Sequence, residues 1–236
     1  MTQLTLDLHI PAAPSLANFV AGRNADCLAL MHRIADGDRA RRFVHLWGAR
    51  GSGCSHLLRG VCAEAPGARA IAADDPVAAF AFEPDVPVYA VDDAQALGPA
   101  QQEALFHLFN RLQAAPHAAL VVAADAPPRG LPLREDLRTR LGLALVFEVH
   151  PLSDEDKAQA LRLEAARRGV NVAADVIPWM LAHQSRDMRA LQALFDALDR
   201  HAYRTRRPIT LPLLRALLRE RGEVHCGGGF GRDADD

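Results

Sequence analysis

The chain has 236 residues, 50% of them hydrophobic and 24% charged, with a formal net charge of −2. That composition predicts a globular protein, either one large domain or a domain with a smaller companion. It argues against disorder and against indiscriminate binding of DNA over a basic surface, though it leaves room for a local basic patch. Cys27, Cys54, Cys62 and Cys226 form no C-x-x-C pair, so they suggest neither zinc nor a disulfide framework, and no apolar run of about 18 residues is present to cross a membrane. Free thiols and a start without a leader-like pattern predict a cytoplasmic protein with no membrane partner.

Residues 1–14 read as a separate piece. Gln3-Leu4-Thr5-Leu6-Asp7-Leu8 is followed by the proline-punctuated tether His9-Ile10-Pro11-Ala12-Ala13-Pro14. Alternating leucines suit a half-buried edge strand. They equally suit a short linear motif, with Leu4, Leu6 and Leu8 entering a partner's pocket and Gln3 hydrogen-bonding at its mouth. Residues 16–36 contain Phe19-Val20-Ala21-Gly22-Arg23-Asn24 and then a helical pattern through Leu28, Met31 and Ile34. A segment placed just before the first core strand can lay its backbone against an adenine base, with Arg23 as a candidate contact. The plainer reading is a packing helix.

The next stretch organises the rest. Phe43-Val44-His45-Leu46-Trp47 is a short apolar run, Gly48-Ala49-Arg50-Gly51-Ser52-Gly53 a glycine-rich turn, and Leu57-Leu58-Arg59-Gly60-Val61 a helix. Strand, loop and helix in that order make a phosphate cradle, because glycines let backbone N–H groups converge and the helix N-terminus adds a favourable dipole. Gly48, Gly53 and Ser55 fit G-x-x-x-x-G-K-[ST], with Cys54 where the lysine belongs. Gly48, Arg50, Gly51, Ser52, Gly53, Cys54, Ser55 and His56 are therefore candidate nucleotide contacts, but a neutral thiol cannot balance phosphate charge as an ammonium does.

Ala68-Arg69-Ala70-Ile71-Ala72 is a weak strand, and Val86-Pro87-Val88-Tyr89-Ala90-Val91 a better one ending in Asp92-Asp93. At the end of a central parallel strand the first acid, together with Ser55, can hold Mg²⁺ on the nucleotide, and the second can orient or deprotonate a water. A helix over residues 99–114 follows, with Leu105, Leu108, Phe109 and Leu112 facing the core. Ala118-Ala119-Leu120-Val121-Val122-Ala123-Ala124 is a buried strand ending in Asp125, placed to sense a γ-phosphate or to position a water. Residues 133–141 and the strand 143–149 complete the pattern, and alternating strands and helices imply a five-stranded parallel sheet with ligands at the strand carboxyl ends.

From Pro151 the pattern is helical only. Ser153 caps a helix whose first turn is Asp154-Glu155-Asp156, and further helices are expected over residues 173–183, 187–203 and 211–221. The arginines Arg200, Arg204, Arg206 and Arg207 read as a solvated helix face. Residues 222–236, with Gly227-Gly228-Gly229 and acids at the end, read as a disordered tail. The expected domains are thus a tether (1–14), an α/β nucleotide domain (15–150), a helical lid (151–221) and the tail.

Taken together, the P-loop, Val91-Asp92-Asp93, Pro127-Pro128, Thr139-Arg140-Leu141, Pro151-Leu152-Ser153-Asp154-Glu155-Asp156-Lys157 and Arg186-Asp187-Met188-Arg189-Ala190-Leu191 resemble the DnaA-related AAA+ proteins in kind and order. Residues 3–8 look like a hexapeptide that docks into the DNA polymerase III β sliding clamp. A clamp peptide on a DnaA-like core, with no DNA-binding module expected after it, is similar to the layout of the Hda family. The resemblance implies an AAA+ P-loop fold with an α-helical lid, ADP or ATP with Mg²⁺ as cofactors, and the clamp and DnaA as partners. It further implies self-association through AAA+ faces and no direct sequence-specific DNA binding.

On these positions Gln3, Leu4, Leu6 and Leu8 would contact the clamp. Gly48 to His56 would cradle the diphosphate, Asp92 would assist Mg²⁺, Asp93 would be the second acid of the hydrolytic pair, and Asp125 would be sensor 1. Arg140 would be an arginine finger offered in trans, and Arg189 the lid's sensor 2. Two departures stand out. Members of the family tend to keep a basic residue at the position of Cys54, and Asp92-Asp93 replaces the commoner Asp-Glu. The implied function is stimulation of hydrolysis of DnaA-bound ATP, which prevents re-initiation of replication, rather than efficient ATP turnover by this chain. The alternatives are an adaptor or loader that brings another partner to the clamp, or a weak ATPase in its own right.

Overall fold

The computed structural model describes residues 13–184 and 187–222, apart from the side chain of Arg189. The clamp-peptide residues Gln3, Leu4, Leu6 and Leu8 and the tail from residue 223 lie outside the described residues. The chain divides between Ser153 and Asp154 into two compact units.

The first unit is built on five parallel strands: β1 (Phe43–Trp47), β2 (Arg69–Ile71), β3 (Val88–Val91), β4 (Ala119–Ala124) and β5 (Leu145–Glu148), in the order β2-β3-β4-β1-β5. Every residue of β3 and β4 is buried, as a parallel strand covered on both faces requires. Alternate side chains go to opposite faces. Tyr89, Val91, Leu120 and Val122 pack with α3 (Pro99–Gln113) and α4 (Glu135–Leu141). Val88, Ala90, Val121, Val44 and Leu46 pack with α1 (Ala25–Ala35) and α2 (Cys54–Glu64). The expected core residues Leu105, Leu108, Phe109 and Leu112 are each at most 2% exposed. Full burial of a side chain of this kind is worth about 1.5–3 kcal/mol. β5 is an edge strand and correspondingly half open, with Leu145 and Val146 exposed.

Strand register sets up the site. Trp47 lies beside Ala124, and Val91 beside Val122 on the far side of β4. The loops after β1, β3 and β4 therefore leave from the same rim of the sheet, the carboxyl rim where open α/β sheets bind ligands.

The second unit holds α5 (Asp154–Arg167), α6 (Val176–His183), α7 (Met188–Thr205) and α8 (Leu211–Glu220) around Leu161, Met180, Leu191, Phe195, Leu198 and Leu214. Two details differ from the sequence expectation. The helix expected from residue 173 begins at Val176, because Val172 forms a parallel bridge with Ile209 and the Ala173 N–H donates to Ile209 O at 2.9 Å. Helix α7 runs to Thr205, two residues past the expected end, and stops there as Arg206 turns left-handed (φ 53°), so Arg206 and Arg207, expected on its solvated face, lie beyond it. Arg168 knits this unit together, reaching Glu164 at 2.6 Å, Asp196 at 2.7 Å and Asp199 at 3.4 Å.

Candidate functional site

The glycine-rich loop leaves β1 at Gly48, whose N–H donates to Ala124 O at 3.3 Å. There is no room for a side chain at Gly48: a Cβ would stand 2.4 Å from Val149 O and 2.7 Å from Ser52 Oγ. The loop turns back through Ser52, 5% exposed, and enters α2 at Gly53. Gly53 has φ +113°, and a Cβ there would meet the Phe19 ring at 2.8 Å. Both glycines are thus required by the local geometry. The first rung of α2 is the Leu57 N–H to Gly53 O bond at 3.0 Å, so the amides just before it lie outside the helical ladder.

The side chains around this loop are engaged as follows. Ser55 Oγ donates to Asp92 Oδ1 at 3.1 Å, joining the loop to the end of β3. Cys54 Sγ lies 3.4 Å from Ser52 Oγ, and burial, above all, pushes its thiol up from the ordinary range. His56 Nε2 lies 3.0 Å from Ser15 O and 2.8 Å from Asn18 Oδ1, and its ring meets Phe19 edge-on at 5.4 Å. The His56 side chain is therefore committed to the segment before α1, so any part it plays in a cradle falls to its backbone. Arg23 and Arg50 are exposed, and neither guanidinium has a hydrogen-bond or ion-pair partner among the described residues.

At the end of β3, Asp92 Oδ1 also accepts from the Asp93 N–H at 3.1 Å. Asp93 is left-handed (φ 52°) and exposed, and its Oδ1 accepts from Gln95 Nε2 at 3.0 Å. The other end of the same amide, Gln95 Oε1, accepts from the Asp125 N–H at 3.2 Å. Gln95 thus spans the rim from β3 to β4 and ties together the two positions expected to act as second acid and sensor 1. Sequence reasoning did not single it out. It also missed Asn24, 4% exposed, whose amide closes two bonds onto the His150 backbone at 2.8 and 2.9 Å. Asn24 thereby anchors the segment that precedes α1 to the chain just beyond β5.

Arg140 stands apart from these groups, on α4 rather than in a loop. It is half-buried, and among the described residues its guanidinium has no hydrogen-bond or ion-pair partner. It lines an open depression of about 770 Å³ together with Phe106, Arg134, Glu135, Asp136 and Thr139. Arg134, in contrast, is held by Asp136 at 2.8 Å and Glu103 at 3.6 Å. Arg189 is the second residue of α7, and its side chain lies outside the described residues.

These features define a P-loop AAA+ architecture with a helical lid. Domain III of the replication initiation protein DnaA from Thermotoga maritima has the same fold, with a TM-score of 0.73 at 18% identity over 89% of this chain and 98% of that one. AMPPCP-bound DnaA from Aquifex aeolicus matches with a TM-score of 0.70 at 20% identity, over 92% and 72% of the two chains. The RuvB Holliday junction branch migration motor of Thermotoga maritima matches at 0.66 and 18% identity, over 88% and 72%. Residues 154–218 match the family model for the Hda lid domain. The chain thus shares the fold of these DnaA and RuvB structures, and its residues 154–218 form a lid of the Hda type.

The residues present are chemically suited to a nucleotide's phosphates with Mg²⁺ in all but one respect. A loop with no room for a Cβ at Gly48, amides at a helix start and a Ser55–Asp92 pair form the donor set of a phosphate–metal site. The strong cation is missing, because Cys54 is neutral.

Proposed function

We propose that this protein is a regulator of replication initiation that acts on DnaA. Held at the DNA polymerase III β sliding clamp through Gln3, Leu4, Leu6 and Leu8, it offers Arg140 in trans to the ATP bound by DnaA, leaving inactive ADP-DnaA. The observation that carries the proposal is Arg140 itself: an arginine without a partner among the described residues, on the rim of an open depression, in a chain with an Hda-type lid.

The chemistry is electrostatic. Phosphoryl transfer spreads negative charge over the transferring oxygens, and a positioned guanidinium stabilises it, an effect on the order of 10³–10⁵ in rate where such fingers act in GTPases. The reacting ATP and its metal belong to DnaA. In this chain the loop 48–56 would hold ADP, with Ser55 and Asp92 beside the nucleotide's Mg²⁺, Asp125 near its phosphates and Arg189 as the lid contact. Bound nucleotide here serves shape, and Cys54 in place of the cation agrees with holding ADP rather than turning over ATP. The clamp tether raises local concentration, so a weak AAA+ contact with DnaA suffices.

The test is hydrolysis of ATP pre-bound to DnaA in the presence of this protein, ADP and clamps loaded on DNA, with each component omitted in turn. Stimulation that requires all of them is expected. ATP turnover by this chain alone would favour an ATPase instead, and clamp binding without stimulation would favour an adaptor.

A further inference from the structure

The end of the lid carries a charge imbalance that the regulator reading does not use. From Arg200 to Gly222 the sequence holds seven arginines and one carboxylate, Glu220. On α7 the spacing of Arg200, Tyr203 and Arg204 puts them on one helix face, and Arg206 and Arg207 follow directly after the helix end. His201, 8% exposed at its side chain, meets Glu220 at 3.7 Å, which brings the last turn of α8, with Arg219 and Arg221, alongside the last turns of α7. Tyr203 is 77% exposed, and Arg204, Arg206, Arg207, Arg219 and Arg221 are exposed as well. Among the described residues none of these guanidinium groups, nor that of Arg200, has a hydrogen-bond or ion-pair partner. The two acids nearest in sequence on α7, Asp196 and Asp199, are already taken by Arg168.

We propose that this end of the lid is a binding surface for the phosphate backbone of double-stranded DNA. Six guanidinium groups without a partner among the described residues, on the ends of two helices and the residues just past them, make a field that a polyanion with closely spaced charges complements best, and duplex DNA carries one charge per ~1.7 Å of axis. Single strands are instead gripped by stacking on several aromatic side chains, and this surface offers only Tyr203. A membrane-surface helix needs an apolar face turned outward, whereas the apolar face of α7 (Leu191, Leu194, Phe195, Leu198, Ala202) is in the core. Phosphate contacts carry no sequence information, so this binding is not sequence-specific. It is independent of the reading proposed for Arg140.

The test uses the full chain and a labelled 30-base-pair duplex of scrambled sequence, followed by fluorescence anisotropy at a series of salt concentrations. Binding at low salt is expected, with log K falling against log salt at a slope of about −3 to −5, as four or five phosphate contacts give. Arg204→Ala with Arg207→Ala is expected to flatten that slope by about two and weaken binding at least ~10-fold. Arg59→Ala, an exposed arginine of the other unit, is expected to change neither, and thermal melts confirm that each variant folds. No binding at low salt would overturn the proposal. So would equal losses in Arg59→Ala, or a double variant that loses binding to phosphatidylglycerol vesicles while its duplex binding is unchanged.

Discussion

Gln102 ties the loop behind the Asp92-Asp93 pair to the start of the helix that carries Arg140. Its Nε2 donates to Leu97 O at 2.8 Å, and its Oε1 accepts from the Arg134 N–H at 2.9 Å. The side chain is buried, so neither partner is readily replaced by water. Gln102 thereby joins Leu97, two residues after Gln95, to Arg134, the residue just before the helix that carries Arg140.

Replacing Gln102 by Leu keeps the volume and deletes both bonds. The expected cost is about 1–3 kcal/mol, because a backbone carbonyl and a backbone N–H lose their partner in a part-buried setting. Urea denaturation measures the loss. Amide exchange at Arg134 is expected to rise more than exchange elsewhere in the first unit, and uniform loosening would mean that Gln102 supports packing only.

Cys54→Lys restores the cation that the loop lacks. A charge-assisted bond to phosphate is worth about 1.5–3 kcal/mol, so ADP affinity measured by calorimetry should rise roughly 10- to 100-fold. An unchanged affinity would show that another group, such as Arg50, already balances the charge. In the natural chain, burial holds the Cys54 thiol above its ordinary range, and the reactive thiolate is correspondingly scarce at neutral pH. Alkylation of Cys54 is expected to be slow at pH 7 and to accelerate only in alkaline solution, as peptide mapping would record.

Much of this site was legible in the sequence. β3 and β4 are unbroken apolar runs that end in acids, which fixes Asp92 and Asp125 at the carboxyl ends of the two strands. The Ser55–Asp92 pair was likewise legible, because the loop motif and the strand-end acid fix both positions. Gln95, Gln102 and Asn24 were not. A neutral amide belongs to no motif, and its value depends on which backbone groups the fold brings within 3 Å, as with Asn24 and His150, 126 positions apart. The late start of α6 was hidden for the same reason. Nothing local announces that Val172 pairs with Ile209.

The lid should be sensitive to acid. Hydrogen bonds from Arg167, and then from Arg168, outweigh the opposing effect of burial and hold the Glu164 carboxyl down at about 2, against an ordinary value of 4.5. A carboxyl with a depressed folded-state value contributes its stability in full above 4.5 and loses it as pH falls from there toward 2. Chemical denaturation between pH 6 and pH 3 should therefore show the second unit weakening first. Arg168→Ala should destabilise that unit at neutral pH by roughly 3–5 kcal/mol, since Asp196 would be left buried and unpaired. It should also lessen the acid sensitivity without abolishing it, because the larger contribution from Arg167 remains, and a variant as acid-sensitive as the natural chain would contradict this account.

The central claim is that Arg140 acts on a nucleotide held by another molecule. Single-turnover hydrolysis of DnaA-bound ATP, with clamps loaded on DNA, should be compared for the natural chain, Arg140→Ala and Arg138→Ala. Because Arg140 has no partner among the described residues, its replacement should alter folding stability by no more than about 0.5 kcal/mol and leave clamp binding intact. The account predicts that Arg140→Ala loses stimulation by a factor on the order of 10³ or more while Arg138→Ala retains it. Stimulation that survives in Arg140→Ala, or that falls only in step with clamp binding, would contradict it.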